Sequence, residues 1–196
     1  GVPQIRKRVF IVGNKINEEV FHKYLKKRKK VTVREVLSEL YHLEKSNKRR
    51  LNGNLSNNYI KYLRKKNSDV LNHDTVYPAK STIEKIKYVK QGENWKKIPK
   101  KLFKKSRSNR HSSAFKRLSE KDLSVTIDTG NAHSNYFHPI FNRIPTPREA
   151  ARIQSFKDSF KFIGSRTSQY RQIGNAVPPL LAKEIAVSFK KIILNK

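Results

Sequence analysis

Apolar positions in this chain come in short clusters between long polar stretches, and their spacing changes along the sequence. Val9, Phe10, Ile11 and Val12 form a continuous run closed by Gly13, which predicts a short strand over 9–12, buried on both faces. Val33, Val36, Leu37, Leu40 and Tyr41 recur at helical spacing behind Thr32 and Glu35, the two ends of a capping box, and predict a helix over 31–45. Shorter helices are predicted over 59–66 and 82–90, the second from Ile83, Ile86 and Val89. Leu123, Val125 and Ile127 alternate with polar neighbours and predict a strand over 123–127 with these three on one face. Residues 46–58 and 129–135 read as loops, and 91–113 as polar and very basic with little periodicity.

The last quarter is more regular. Thr146 can cap a helix with Pro147 at its first position and Glu149 closing the capping box, while Ala150, Ala151, Ile153 and Phe156 supply its apolar side. Residues 173–177 read as a loop or turn before Pro178-Pro179. A second helix is predicted from about 179 to 194, with Leu181, Ile185, Phe189 and Ile192 along one stripe.

Composition narrows the possibilities. The 196 residues include 45 Lys/Arg and 15 Asp/Glu, a formal charge of +30, and 36% are hydrophobic. That is enough chain for one domain or two small ones with a buried core. No apolar run approaches the roughly 20 residues of a membrane span, and no basic-then-apolar signal segment opens the chain. There is no Cys, which excludes disulfides, Cys-ligated zinc and a cysteine nucleophile within these residues. Met is also absent and the first residue is Gly1, the expectation for a processed, trimmed or partly recorded polypeptide. His133 and His138 are five apart and the other four histidines are scattered, so no metal set is expected. Asp69, Asp74, Glu84 and Glu93 show no paired spacing for acid–base work.

The charge is uneven. Residues 21–120 carry 29 of the 45 cations and 8 of the 15 acids. Aromatics sit within the basic runs: Tyr24, Tyr59, Tyr62 and Trp95. Cations for phosphates with aromatics between them suit nucleic acid, although a solvated Lys-rich surface would account for any single run.

Three segments carry candidate chemistry. Gln4, Arg6 and Arg8 alternate ahead of the apolar run, and side chains two apart on extended backbone point the same way, so both arginines can face a phosphate or base carbonyl. Arg143 to Phe156 reads RIPTPREAARIQSF, and Tyr170 to Ala182 reads YRQIGNAVPPLLA. The Gly174-Asn175 turn offers backbone N–H groups and a side-chain amide to a carboxylate or hydroxyl, or is simply a helix-entry turn.

In this order, with a long variable region after the first, the three segments resemble the eighth, ninth and tenth motifs of the DNA (cytosine-5) methyltransferases. The resemblance implies an α/β, Rossmann-like fold, with α+β character in this portion. Residues 1–13 would be the last strand of the catalytic domain, 14–142 an irregular target recognition domain, and 143–196 the return to the catalytic domain. It implies that Arg8 reaches the extruded cytosine, that Arg6 and Gln4 support the pocket wall, and that Gly174, Asn175, Ala176 and Val177 close over S-adenosyl-L-methionine. Arg148 and Arg152 would anchor the recognition domain rather than touch substrate. Double-stranded DNA would be read by loops around 91–135, with Asn94, Arg107, Asn109, Arg110 and Asn131 as candidates by residue type alone. The family's cysteine nucleophile, in a Pro-Cys segment, precedes the eighth motif. The expected partner is therefore an N-terminal catalytic half or large subunit, and this chain is either a fragment or the small subunit of a split enzyme. A bacterial restriction–modification system, and hence a cytoplasmic location, would follow. A non-catalytic basic nucleic-acid-binding protein explains the charge but not the ordered motifs. An inactive methyltransferase relative explains both.

Overall fold

The computed structural model describes residues 1–11, 28–44, 50–103, 114–127, 129 and 136–194. Helices dominate. In chain order they are α1 (Val33–Leu37), α2 (Asn58–Leu63), α3 (Lys80–Ile86), α4 (Pro147–Ile153), α5 (Arg166–Asn175) and α6 (Pro179–Leu194). Strands are short: β1 (Arg50–Leu51) pairs antiparallel with β2 (Ser68–Asp69), and β3 (Lys116–Arg117) pairs parallel with β4 (Tyr136–Phe137). A single parallel bridge joins Gln4 to Ser124.

The capped helices form where their caps predict. Thr32 and Glu35 close a capping box on α1, and Thr146 and Glu149 close another on α4 with Pro147 in its first turn. α1 is short, because from Ser38 to Leu43 the chain tightens into a 3-10 helix. That turn places Leu40 and Leu43 in a small cluster with Leu51 and Val70. α2 is capped by Asn57, whose side chain accepts from the Ile60 amide at 2.9 Å.

All seven residues of α4 are buried, so it is a central helix rather than an amphipathic surface one. It packs against α1 and α5. The main core combines Val33, Val36, Leu37, Tyr59, Ile60 and Leu63 with Ala150, Ala151, Ile153, Tyr170 and Ile173. A satellite cluster of Ile86, Val89, Ile98, Phe115 and Phe137 supports α3 and the basic turns that follow it.

Three arginines, Arg143, Arg148 and Arg152, are among the largest fully buried side chains. Buried cations persist only when paired and hydrogen-bonded. Arg152 donates to Asp158, to the Val36 carbonyl at 3.2 Å and to Glu39 at 2.6 Å. Arg148 donates to the Leu71 carbonyl at 2.8 Å and the Lys157 carbonyl at 3.0 Å. α4 thus ties the 36–72 segment to the chain's last quarter through these two arginines.

Three expectations need correction. Residues 9–11 form no strand, Val9 being 87% exposed and Ile11 95%; Val12 lies outside the described residues. A strand needs a hydrogen-bonded neighbour, and among the described residues none lies beside this run. Residues 123–127 are extended but make only the Gln4 bridge, and Ser124 and Ile127 are the fully buried positions, so Leu123 and Val125 do not share Ile127's burial. The 173–177 turn is half helix, since α5 runs through Gly174 to Asn175. α5 escapes pattern reading because its burial rests on Tyr170, Ile173 and Gly174 alone. α6 forms over the predicted span, with Leu181 and Ile185 of its stripe half-buried and Val187, outside the stripe, 42% exposed.

Candidate functional site

The site begins with alternation in an extended segment. The Ser124 amide donates to the Pro3 carbonyl at 2.9 Å and the Ile5 amide donates to the Ser124 carbonyl at 2.8 Å. This bridge turns Gln4 and Arg6 inward and Ile5 out to solvent, 61% exposed. Gln4 accepts from the Ile127 amide at 3.1 Å and donates to Gln154. Gln154 in turn donates to the Ile173 carbonyl at 2.9 Å. Arg6 donates at 2.8 Å to the Ile127 carbonyl and at 2.8 Å to the Gly174 carbonyl. The latter is one of the orphan carbonyls at the C-terminal end of α5, where a cation is favoured.

The other wall comes from the turn between α5 and α6. The Ala176 amide donates to the Ile173 carbonyl at 3.3 Å, and the chain then becomes extended. Ser155, held at φ +65°, accepts from the Leu180 amide at 3.1 Å and fixes the start of α6. A cleft of about 280 Å³ opens between the two walls, lined by Gln4, Arg6 and Arg8 on one side and Asn175, Ala176 and Val177 on the other. Phe10, Pro178 and Leu181 add apolar surface.

Six of the seven residues expected to serve catalysis or cofactor therefore meet in one cleft, although some 170 positions separate the two groups. Gly174 is the seventh. It is buried, and its carbonyl is taken by Arg6 rather than offered to a ligand. Arg8 is exposed and, among the described residues, donates only to the adjacent Lys7 carbonyl, at 2.7 Å. The Asn175 side chain has no hydrogen-bonding partner among the described residues. An amide with both donor and acceptor capacity and an apolar floor can hold a ligand that is part polar and part flat and apolar.

Among the expected base readers, Asn94 caps the turn at 95–97, its side chain accepting from the Lys96 amide at 3.1 Å. Arg107, Asn109, Arg110 and Asn131 lie outside the described residues. Sequence reasoning missed Gln154, Ser155 and Ile127, which shape the cleft from behind. Nothing in their local pattern signals it, because their partners are distant in sequence. Arg117 was missed too. It is buried and donates to the Ile86 carbonyl at 2.9 Å, the Val89 carbonyl at 2.6 Å and Asn142 at 2.7 Å, fixing the end of α3.

An ionised cluster surrounds Glu149 in the first turn of α4. Arg143 bridges Glu149, at 2.8 and 2.9 Å, and Glu44, at 2.8 Å. Burial alone would raise the Glu149 carboxyl, yet neighbouring His138 and Arg143 hold it well below the usual carboxylate range. Burial pushes His138 down to about 4, so at neutral pH the cation facing Glu149 is Arg143. The His138 Nδ1 accepts from the Ile140 and Phe141 amides at 3.1 and 3.0 Å, which fixes the neutral ring's proton on Nε2.

Comparison with known proteins decides the family. The model of the C-5 cytosine-specific DNA methylase family matches residues 1–191. The chain belongs to the C-5 cytosine-specific DNA methylase family. Members take the methyl group from S-adenosyl-L-methionine. The chain is similar to type II methyltransferase M.DdeI of Desulfomicrobium norvegicum, 32% identical over 95% of this chain and 50% of that protein. It is similar to M1.HphI of Haemophilus parahaemolyticus, 33% identical over 100% of this chain and 46% of that protein. It thus spans about half the length of these relatives. M.AquIB of a Picosynechococcus strain differs in proportion: it is 33% identical over 66% of this chain but 94% of its own length. A crystal structure described as a DNA modification methyltransferase encoded within an Escherichia coli prophage matches 93% of this chain and 52% of that one. Its TM-score is 0.60 at 24% identity, a likeness of fold.

Proposed function

We propose that this chain is the DNA-recognising and pocket-completing portion of a DNA cytosine-5 methyltransferase of a restriction–modification system, acting with a catalytic portion that carries the cysteine nucleophile. The observation that carries this reading is the cleft itself, where Arg8 and Gln4 face Asn175, Ala176 and Val177. The absence of Cys from all 196 residues requires the nucleophile to come from elsewhere. The match to M.AquIB over nearly its whole length supports a chain of this kind as a separate subunit.

In this reading S-adenosyl-L-methionine supplies an electrophilic methyl group when bound. The Asn175 amide and the extended backbone at 176–177 hold its polar portion, and Phe10, Val177 and Leu181 exclude water from the apolar side. Arg8, unattached to any buried partner, swings to the extruded cytosine or its adjacent phosphate and offsets the charge that develops as the thiolate adds to the ring. Residues 14–142 serve as the recognition region. Bases there are read by residues around 91–135, and the lysines of α3 and of 87–101 hold phosphates. The exposed run at 9–11 and the half-covered face of α6 pack against the catalytic portion.

The test is reassembly. The purified 196-residue chain should transfer no methyl group to duplex DNA. Mixed with a family catalytic portion bearing the Pro-Cys and Gly-rich segments, it should do so, with tritium from labelled cofactor appearing at cytosine C5. Transfer by the chain alone, or none by any mixture that forms a complex, overturns the reading.

A further inference from the structure

Beneath the cleft one side chain joins two parts of the molecule that the reading above assigns to different ligands. Arg6 holds the Ile127 carbonyl with Nη1 and the Gly174 carbonyl with Nη2, each at 2.8 Å. Ile127 closes the segment 124–127 and leads into the stretch that precedes β4. Gly174 is followed directly by Asn175, which lines the cleft. Gln4, two residues earlier on the same side, repeats the arrangement. It accepts from the Ile127 amide at 3.1 Å and reaches the Ile173 carbonyl through Gln154. The amide and carbonyl of Ile127 are therefore held by the side chains of Gln4 and Arg6, while near the end of α5 Arg6 holds the Gly174 carbonyl and Gln154, itself bound by Gln4, holds that of Ile173. Ile127 and Ile173 are completely buried, so neither segment can shift without breaking a desolvated hydrogen bond.

We propose that Arg6 is a positioning residue that couples the recognition region to the cofactor turn, so that ordering of 124–127 by bound duplex tightens the backbone at 173–177. The inference rests on the functional reading above for the identity of the two ligands. A guanidinium suits the task because two nitrogens on a rigid plane span two carbonyls at once, which an ammonium cannot do with fixed geometry. Coupling of this kind is a shared mechanical link. Loss of the link should decouple the two segments while Arg8 and Asn175, the side chains assigned to cytosine and cofactor, stay in place.

The experiment is hydrogen–deuterium exchange on the 196-residue chain, free and with a short mixed-sequence DNA duplex, for the wild type and Arg6→Gln and Arg6→Lys. In the free chain Arg6→Gln should speed exchange at 124–127 and at 173–177 together, by roughly ten- to a hundred-fold, the effect of losing a hydrogen bond to a charged group. Arg6→Lys should restore one segment but not both. Duplex should raise protection at 173–177 in the wild type and not in Arg6→Gln. Loosening of one segment alone, or transmission that survives Arg6→Gln, overturns the proposal. A chain that fails to bind duplex in a mobility-shift assay counts against the functional reading instead, and the free-chain comparison then decides the coupling by itself. A global loss of structure, read by circular dichroism, is separated from these outcomes by the Lys variant.

Discussion

Arginines in this protein have two fates, set by what surrounds them. Arg143, Arg148 and Arg152 are fully buried and fully paired, whereas Arg8 lies exposed in the cleft with only a neighbouring carbonyl. Replacing Arg8 with Ala should therefore leave the melting temperature unchanged while lowering single-turnover methylation of the reassembled enzyme. A lost charge-assisted contact in the transition state is worth about 2–4 kcal/mol, or roughly 30- to 1,000-fold in rate. Asn175→Ala should instead weaken cofactor binding, measured by calorimetry with S-adenosylhomocysteine. Near-normal methylation by the Arg8 variant, or lost cofactor binding from it, would show the two roles exchanged. His138 gives a second residue-scale prediction. Its folded pKa is lowered by burial to about 4, so the unfolded chain binds the extra proton first on acidification. Stability is then complete above the ordinary histidine value of 6.5 and falls as pH drops toward about 4. The full loss is at most about 3 kcal/mol, and Glu149 adds a further loss below its ordinary value of 4.5, because its pKa is depressed in the fold. Urea midpoints at pH 7 and pH 5 should differ in the wild type and converge in His138→Gln. Equal midpoints in the wild type would mean that the imidazole is protonated or hydrated in the fold.

At the scale of elements, α4 is the piece on which the rest depends. Arg152→Ala leaves Asp158 and Glu39 without their shared cation, and truncating one side of a buried pair costs about 3–5 kcal/mol. Thr146→Ala removes the cap and also the hydroxyl that meets the buried His73 Nδ1 at 2.8 Å, and should cost about 1–3 kcal/mol. Chemical denaturation of both variants should rank them in that order, and a milder Arg152 variant would show that water replaces the lost partner. The same helix explains what the sequence disclosed. Its cap residues are local, so Thr146, Pro147 and Glu149 were readable from four adjacent letters, as were Thr32 and Glu35. The meeting of Gln4, Arg6 and Arg8 with Asn175, Ala176 and Val177 was legible only through family motifs, since no local rule joins positions so far apart. α5 was not legible, because Tyr170 and Ile173 make too narrow an apolar stripe and Gly174-Asn175 signals a turn. The apolar run at 9–11 had the composition of a buried strand, but burial depends on a neighbouring strand that a run cannot itself reveal.

For the whole molecule the distribution of charge matters more than its total. Glu39, Glu44, Glu149 and Asp158 are turned inward onto Arg64, Arg143 and Arg152, so these acids do little to offset the cations outside. Lysines remain at the surface: Lys80, Lys87, Lys90, Lys96, Lys97, Lys100 and Lys101 are all exposed, on or near the satellite cluster that Arg117 braces. A rigid unit bearing compact, strongly hydrated cations suits phosphate contact without base readout. If about 6 phosphates are neutralised, log affinity for duplex DNA should fall against log salt with a slope near −5. Replacing Lys96, Lys97, Lys100 and Lys101 together by Gln should flatten that slope by about one for each cation that contacted a phosphate. Because these side chains lie outside all three hydrophobic clusters, the melting temperature should hold, and preference between target and non-target sequences should change little. Fluorescence anisotropy from low to moderate salt measures both quantities on one duplex pair. A slope near zero in the wild type would assign the basic face to another partner. A normal slope unaltered in the quadruple variant would move the phosphate contacts away from residues 80–101, toward the cations of 28–66.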